Sequence, residues 1–246
     1  MRIAQLSDLH LTAKLGGRVW GSDVWANLEH TLAHLQSEVG DVDRLVLTGD
    51  LANSGSAEAY ARLAEVLQPW RDRLLLVPGN HDHREHLREA FAWLWPNSTP
   101  HLSFAVPLAG WQLIGLDSLQ QGRTHGRLGP AQLDWLRQQL AGDAPTLLFA
   151  HHPPMRVHCW WLDRDLLRDL GDFAAALASS RVRWIFCGHV HQEHIGRLGT
   201  AEVCTTPSTA YQYRPRSWLP TPGARTPAFR LIEIEPQQVT SCIVRL

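Results

Sequence analysis

Asp8 and His10, Asp50, Asn80, His151, and His189 and His191 are the residues whose types and spacing could do chemistry. Carboxylate, imidazole and amide oxygen together form a borderline-to-hard donor set suited to Mn, Fe, Zn or Co, and no cysteine sits among them. Two groups are x-spaced pairs, Asp8-x-His10 and His189-x-His191. In an extended segment, residues two apart project to the same side, so this spacing predicts that both members of each pair face one centre. Seven donors exceed what one ion needs, and a carboxylate can bridge two ions. The set predicts a two-metal site, the arrangement that clamps the attacking and leaving oxygens of a displacement, and that chemistry points to phosphate-ester hydrolysis. Taken singly, each residue has an ordinary explanation: Asp8 as a turn former, Asn80 as a left-handed residue, His151 as a hydrogen-bonded core histidine. Their recurrence at five strand ends is what those explanations leave unaccounted for.

The elements that must position these groups alternate between short apolar strands and amphipathic helices, an α/β pattern. Strands are expected over residues 3–7, 44–48, 73–77, 146–150 and 182–187, each followed directly by one of the polar groups. In open α/β sheets ligands bind beyond the carboxyl ends of the strands, so the groups should converge. Asp23 is expected to cap a helix through Leu35, and a second helix carries Tyr60, Leu63 and Leu67 up to Pro69. Pro130 opens a third, and a fourth is expected over 164–180 with a break near Gly171. Hairpins are expected over 104–116 and 229–244, and 205–226 reads as a long loop, a length uncommon unless functional. With no repeat, low-complexity tract or linker, residues 1–246 read as one domain.

Composition narrows the function classes. The 246 residues are 44% hydrophobic and 19% charged with a net charge of −1, which excludes disordered, collagen-like and coiled-coil chains. Lys14 is the only lysine and the arginines are scattered, so no basic surface for a nucleic acid polymer is expected. No apolar run reaches the roughly 18 residues of a membrane span. The opening MRIAQLSDLHL enters a strand pattern without the layout of a secretory signal. Four cysteines without a CxxC pair fit a reducing setting, and a cytoplasmic location is expected.

In chain order, DLH (8–10), GDL (49–51), GNHD (79–82), HHPP (151–154) and GHVH (188–191) resemble the motifs of the calcineurin-like metallophosphoesterase superfamily. The resemblance implies an α/β fold of four layers, α/β/β/α, with two mixed β-sheets packed face to face and helices outside. It implies that Asp8, His10 and His191 hold one ion, that Asn80, His151 and His189 hold the other, and that Asp50 bridges them. His151 takes that place as the first histidine of HHPP, with His152 as the alternative. Mn and Fe are the ions expected first, with Zn or Co as substitutes. His81 would lie beside the substrate phosphate, assisting the leaving oxygen, and Asp82 would orient it. A hydroxide held between the ions would attack phosphorus in line.

The opening segment, GNHDHR, WLDR (161–164) and PSTAYQY (207–213) further resemble bacterial class III cyclic-nucleotide phosphodiesterases, which are similar to glycerophosphodiesterases. That likeness implies a small phosphodiester substrate, 3′,5′-cyclic AMP first, with glycerophosphodiesters or lipid headgroups as the alternative. A binding module that has lost catalysis is a third reading, disfavoured by the complete donor set. Substrate choice would rest on the loop 205–226 and the segment 158–163. His83 departs from the acidic or small residue common after GNHD, and either contacts substrate or begins a solvated helix. His194 and Tyr211 are further candidates for substrate contact, Trp160 and Trp161 for stacking on a base. The stretch 91–96 is a candidate apolar element for lipid. A twofold homodimer is the default assembly.

Overall fold

Short runs of Leu, Val, Ile and Phe become strands buried on both faces, which is why they read as continuous apolar segments and not as alternating ones. The computed structural model describes residues 1–95, 99–235 and 238–246. Its first half contains β1 (Arg2–Leu6), a small pair β2 (Arg18–Val19) and β3 (Ser22–Asp23), α1 (Val24–His34), β4 (Arg44–Thr48), α2 (Ala57–Val66), β5 (Leu74–Val77) and α3 (Arg84–Ala90). There follow β6 (Phe104–Leu108), β7 (Trp111–Leu116), α4 (Gly129–Gln139), β8 (Thr146–Ala150), α5 (Leu170–Leu177) and β9 (Val182–Cys187). The chain closes with β10 (His194–Leu198), β11 (Ala201–Thr205), β12 (Ala228–Ile234) and β13 (Val239–Arg245). The Asp23 carboxylate accepts from Ala26 N at 3.1 Å and caps α1, as its position predicts.

One sheet has the order β13-β12-β1-β4-β5, and the other β10-β11-β9-β8-β7-β6. Both are mixed: β1, β4 and β5 run parallel, as do β7, β8, β9 and β11, with antiparallel strands at the edges. Their facing sides share one apolar layer, in which Ile3, Val46 and Ile232 of the first sheet meet Leu147, Phe149 and Phe186 of the second. The outer face of the first sheet packs under α1 and α2 through residues such as Leu28, Leu47 and Leu63. The outer face of the second packs under α4 and α5 through Leu136, Leu148 and Phe173. The four α/β/β/α layers are those the motifs imply.

Two expectations are corrected. The helix expected over 164–180 is only α5, preceded by one 3₁₀ turn at Leu162–Arg164. Residues 166–168 are diverted into pairing with Gly126, whose N–H donates to Leu166 O and whose carbonyl accepts from Arg168 N at 2.9 Å. The acids that favour helix in that window instead hold loops: Asp169 accepts from Leu128 N and Gly129 N. The described residues 91–95 of the stretch 91–96 do not form an exposed apolar element either. Phe91 and Trp95 are buried, and Trp93 is half-buried beneath Arg71, while Pro96 lies outside the described residues. Strand β10 carries no clear sequence signal, because as an edge strand HIGRL exposes both Ile195 and Arg197.

Phe149 is fully buried between the sheets and stacks on Phe186 with centroids 5.6 Å apart. Phe149→Ala should lower unfolding stability by about 3–5 kcal/mol in a denaturant titration, through lost transfer energy and the cavity left behind.

Candidate metal centre

Each candidate donor follows the carboxyl end of a parallel strand: Asp8 and His10 after β1, Asp50 after β4, Asn80 after β5, His151 after β8, His189 and His191 after β9. The route by which the x-spaced pairs converge differs from the extended segment that the spacing suggests. Asp8 (φ 55°), His10 (46°), Asp50 (51°), His189 (71°) and His191 (52°) all adopt left-handed backbone. For non-glycine residues this costs on the order of 1 kcal/mol or more each, and it persists only where the surroundings over-determine it. They do so here. Asp8 N donates to Gly49 O and His10 N to Asp50 O, Gly188 N donates to His151 O, and His189 N donates to the Asp8 carboxylate at 3.0 Å. The motif glycines permit the close approach. A Cβ at Gly79 would strike the Asp50 carboxylate and the His151 ring, and one at Gly188 would strike Ser7 and Asp8.

The donors form two sets around Asp50. In one, His191 Nε2 lies 3.1 Å from His10 Nε2 and 3.2 Å from Asp8 Oδ1. In the other, Asn80 Oδ1 lies 3.1 Å from His151 Nε2 and 3.0 Å from His189 Nδ1. Asp50 Oδ2 stands between them, 3.4 Å from His151 Nε2 and 3.8 Å from His10 Nε2, while Asp50 Oδ1 accepts from His81 N. His191 Nδ1 donates to Tyr211 O and His151 Nδ1 to Thr48 O, both at 2.8 Å. A carbonyl only accepts, so both rings carry a proton on Nδ1, and in the neutral form that coordinates a cation each turns a bare Nε2 lone pair inward. Buried lone pairs facing carboxylate and amide oxygens fit a cation between them.

The titration behaviour agrees. Burial pushes His10 and His189 down to about 3, so both are neutral, the form that coordinates. Burial alone would raise Asp8 and Asp50, but neighbouring imidazoles, His191 for Asp8 and His151 for Asp50, outweigh it and keep both low. Burial would lower His151, yet the Asp50 carboxylate prevails and holds it at about 9. In the metal-free protein a proton on His151 thus stands where positive charge is needed.

Of the two HHPP histidines, His151 reaches this centre. His152 lies near His151 and His189, but its Nδ1 is engaged with Ser118 Oγ at 2.8 Å and its Nε2 with Thr124 O at 3.1 Å. His81 is exposed at the rim, edge-on to His10 with centroids 4.8 Å apart. The expectation that Asp82 orients it is corrected: His81 Nδ1 bonds to Asn53 O at 2.8 Å. Asp82 is buried beneath, accepting from Leu51 N, Ala52 N, Gly79 N and the Tyr60 hydroxyl, so it ties the Asp50 loop to the Asn80 loop. Asn53 and Tyr60 carried no sequence signal, one acting through a main-chain carbonyl and the other from an ordinary helix position.

The proposed substrate contacts separate. His194 lines a cleft of roughly 650 Å³ that His191 borders and that Tyr213, His158 and Arg214 also line. Tyr211 is buried, packed on the His191 ring at 4.7 Å and touching Tyr213 Oη at 3.4 Å, so Tyr213, not Tyr211, faces the cleft. His83 stacks on His86 at 4.2 Å and lines a separate depression with Arg84 and Arg88. The loop 205–226 divides in the same way. Residues 205–211 are buried and support the centre, with Ser208 Oγ donating to Asp8 O, and apart from Pro207 the loop lines the cleft from Gln212 onward.

The sequence matches the model of the calcineurin-like phosphoesterase family over residues 1–193. It is 34% identical over 240 residues to the 3′,5′-cyclic adenosine monophosphate phosphodiesterase CpdA of Escherichia coli K12, covering 95% of this chain and 85% of that protein. It is 30% identical over 224 residues to a protein of Arcobacter nitrofigilis named as a probable glycerophosphodiester phosphodiesterase GpdQ, covering 86% and 80%. In fold it resembles a dimetal phosphatase from Danio rerio, with a TM-score of 0.74 at 14% identity over 99% of this chain and 95% of that one.

Tyr60→Phe removes a hydroxyl that donates to Asp82 and accepts from His83 N at 3.0 Å. It should cost about 1–3 kcal/mol in thermal unfolding and lower the metal content measured after dialysis. Cation binding should also expel the His151 proton. Calorimetry at pH 7.5 in buffers of different ionisation enthalpy should show about one proton released as the centre fills, with affinity weakening as pH falls. Binding without proton release would contradict that assignment.

Proposed function

This chain belongs to the calcineurin-like phosphoesterase family, and from that premise we propose that it is a two-metal phosphodiesterase acting first on 3′,5′-cyclic nucleotides, cyclic AMP to 5′-AMP. The observation that carries the reading is the paired donor set about Asp50, opening at His191 onto a cleft large enough for a nucleotide. The identity to the Escherichia coli cyclic AMP phosphodiesterase supports the choice of substrate.

Asp8, His10 and His191 would hold one ion, Asn80, His151 and His189 the other, with Asp50 shared. Mn or Fe suits this mixture of carboxylate, amide and imidazole, and Zn or Co can substitute. When bound, such ions supply Lewis acidity, polarising phosphoryl oxygens and easing the deprotonation of water. The chain's own residues do the rest. Burial keeps His10 and His189 unprotonated, and the carbonyls of Thr48 and Tyr211 keep the protons of His151 and His191 pointed away. His81 has its Nδ1 proton held by Asn53 O, which leaves Nε2 free at the open rim. Burial opposes its charge, but the Asp50 carboxylate outweighs burial and raises its pKa, which suits a group that donates a proton to the departing O3′. Tyr213 rests on the His191 ring at 4.5 Å, with Trp161 edge-on at 4.8 Å, giving a flat wall for a base.

A glycerophosphodiester is the second reading, favoured by the Arcobacter relative, and it would use the same centre with a smaller alcohol in the cleft. Initial rates on a Mn-loaded preparation and a chelated control should decide, using cyclic AMP, glycerophosphocholine, an aryl diester and the aryl monoester. Cyclic AMP turnover well above the other diesters is expected, and Asp50→Ala should lose metal and turnover together. An Asp50→Ala protein with full activity would sink the shared-ligand assignment.

A further inference from the structure

The cleft beside the metal centre carries more positive charge than a cyclic nucleotide can use, since that substrate's single phosphate belongs at the centre itself. Arg214, Arg216 and Arg245 line the cleft with His158 and His194, against one carboxylate, Glu193. Arg245 is paired with that carboxylate at 3.3 Å. Among the described residues, the Arg214 and Arg216 guanidinium groups have no hydrogen-bond or ion-pair partner. Residues 212–226 contain three arginines and no acid.

These arginines stand on a braced tongue. Gln212 N donates to Ala224 O at 2.8 Å, Arg214 N to Thr221 O at 2.8 Å, and Gly223 N to Gln212 O at 2.7 Å. The tip is pinned from the other wall at Ser217, which accepts from Cys159 Sγ and Trp161 Nε1, each at 3.4 Å. Backbone strain marks the same two walls. Among the described residues, the non-glycine residues with left-handed backbone outside the strand-end donors are Trp20, Ala109, His158 (φ 57°) and Arg216 (φ 55°), and the last two line this cleft. Strain retained on both walls of a rim that carries the Arg214 and Arg216 guanidinium groups points to a fixed presentation toward an anion.

We propose that the cleft is an anion subsite and that the chain hydrolyses linear phosphodiesters bearing a second phosphate, a 5′-phosphorylated dinucleotide in the first instance. The scissile phosphate sits at the metal centre, the terminal phosphate on Arg214 and Arg216, and the base against Tyr213. Water adds across the scissile P–O3′ bond: its oxygen joins phosphorus, O3′ departs with a proton, and two nucleoside 5′-monophosphates result. No oxidant or co-substrate is required. The inference rests on the phosphodiesterase reading above, and it names a substrate class beyond cyclic nucleotides.

The test compares KM and kcat on Mn-loaded protein for pApA, for ApA without the terminal phosphate, and for an aryl diester. It uses the wild type and the double variant Arg214→Ala/Arg216→Ala. KM for pApA should lie at least about tenfold below that for ApA, the effect of one charge-assisted hydrogen bond, and the ratio should fall near one in the variant. In the wild type, added salt should raise KM for pApA more than for ApA, a readout independent of the variant's folding. Equal wild-type KM values, a ratio retained in the variant, or both KM values rising together would overturn the subsite. Aryl diester turnover with no preference for pApA defeats the subsite alone, whereas no turnover of any diester defeats the phosphodiesterase reading itself.

Discussion

Two buried carboxylates, Asp8 and Asp50, impose the constraint on which the rest of the structure depends. Removing an ionised carboxylate from water costs several kcal/mol even after relaxation, so each must be met by donors or positive charge. Asp8 takes the His189 N–H and faces His191, and Asp50 takes the His81 N–H and faces His151 and His10. The strand ends therefore have to meet within hydrogen-bonding distance, and the chain bends into left-handed backbone at five of the donor positions to let them. Glycines at 49, 79 and 188 stand where any larger residue would hold the loops apart. Local strain, glycine placement and donor geometry are consequences of one electrostatic requirement.

The two sheets are fastened beneath the centre by polar groups as well as by the apolar layer. Gln5 on β1 donates to Thr48 Oγ1 and to Cys187 O on the second sheet, and accepts from Thr206 Oγ1 at 2.7 Å. Thr206 in turn accepts from the buried Arg230, which also donates to Thr205 O and Ser241 Oγ. Half-satisfied polar networks are costly in a core, and a nearly complete one fixes a single arrangement. It couples β1, β4, β9 and β12, so the donors contributed by different sheets keep their register.

Around this rigid floor the loops divide their work. Residues 206–211 are buried and brace Asp8 and His191 through Ser208 and the Tyr211 carbonyl. From Gln212 onward the same loop becomes a tongue that walls the cleft and meets the 157–161 segment at Ser217. Support and recognition are thus consecutive in sequence, and a change a few residues along this loop moves from one role to the other.

The amino-acid sequence by itself determined the α/β class and the candidate donors, because apolar strand runs and polar strand ends are local patterns, and the four-layer arrangement followed only from the resemblance of its motifs to a known family. The glycines beside Asp50, Asn80 and His189 are legible for the same reason. It did not determine which of His151 and His152 turns inward, since adjacent residues share composition and only the partners Ser118 and Thr124 decide. Nor did it determine what holds His81. Asn53 acts through a main-chain carbonyl, which every residue has, and Asp82 is drawn instead to the N–H groups of the Asp50 loop and of Gly79 in its own loop. The halving of the helix expected at 164–180 has the same origin, because Gly126 competes for its backbone hydrogen bonds from 41 positions away in the case of Leu167. Spacing along the chain records what each residue can do. Which partner it does it with is settled by hydrogen bonds and burial between segments distant in sequence, and those exist only once the sheets have packed.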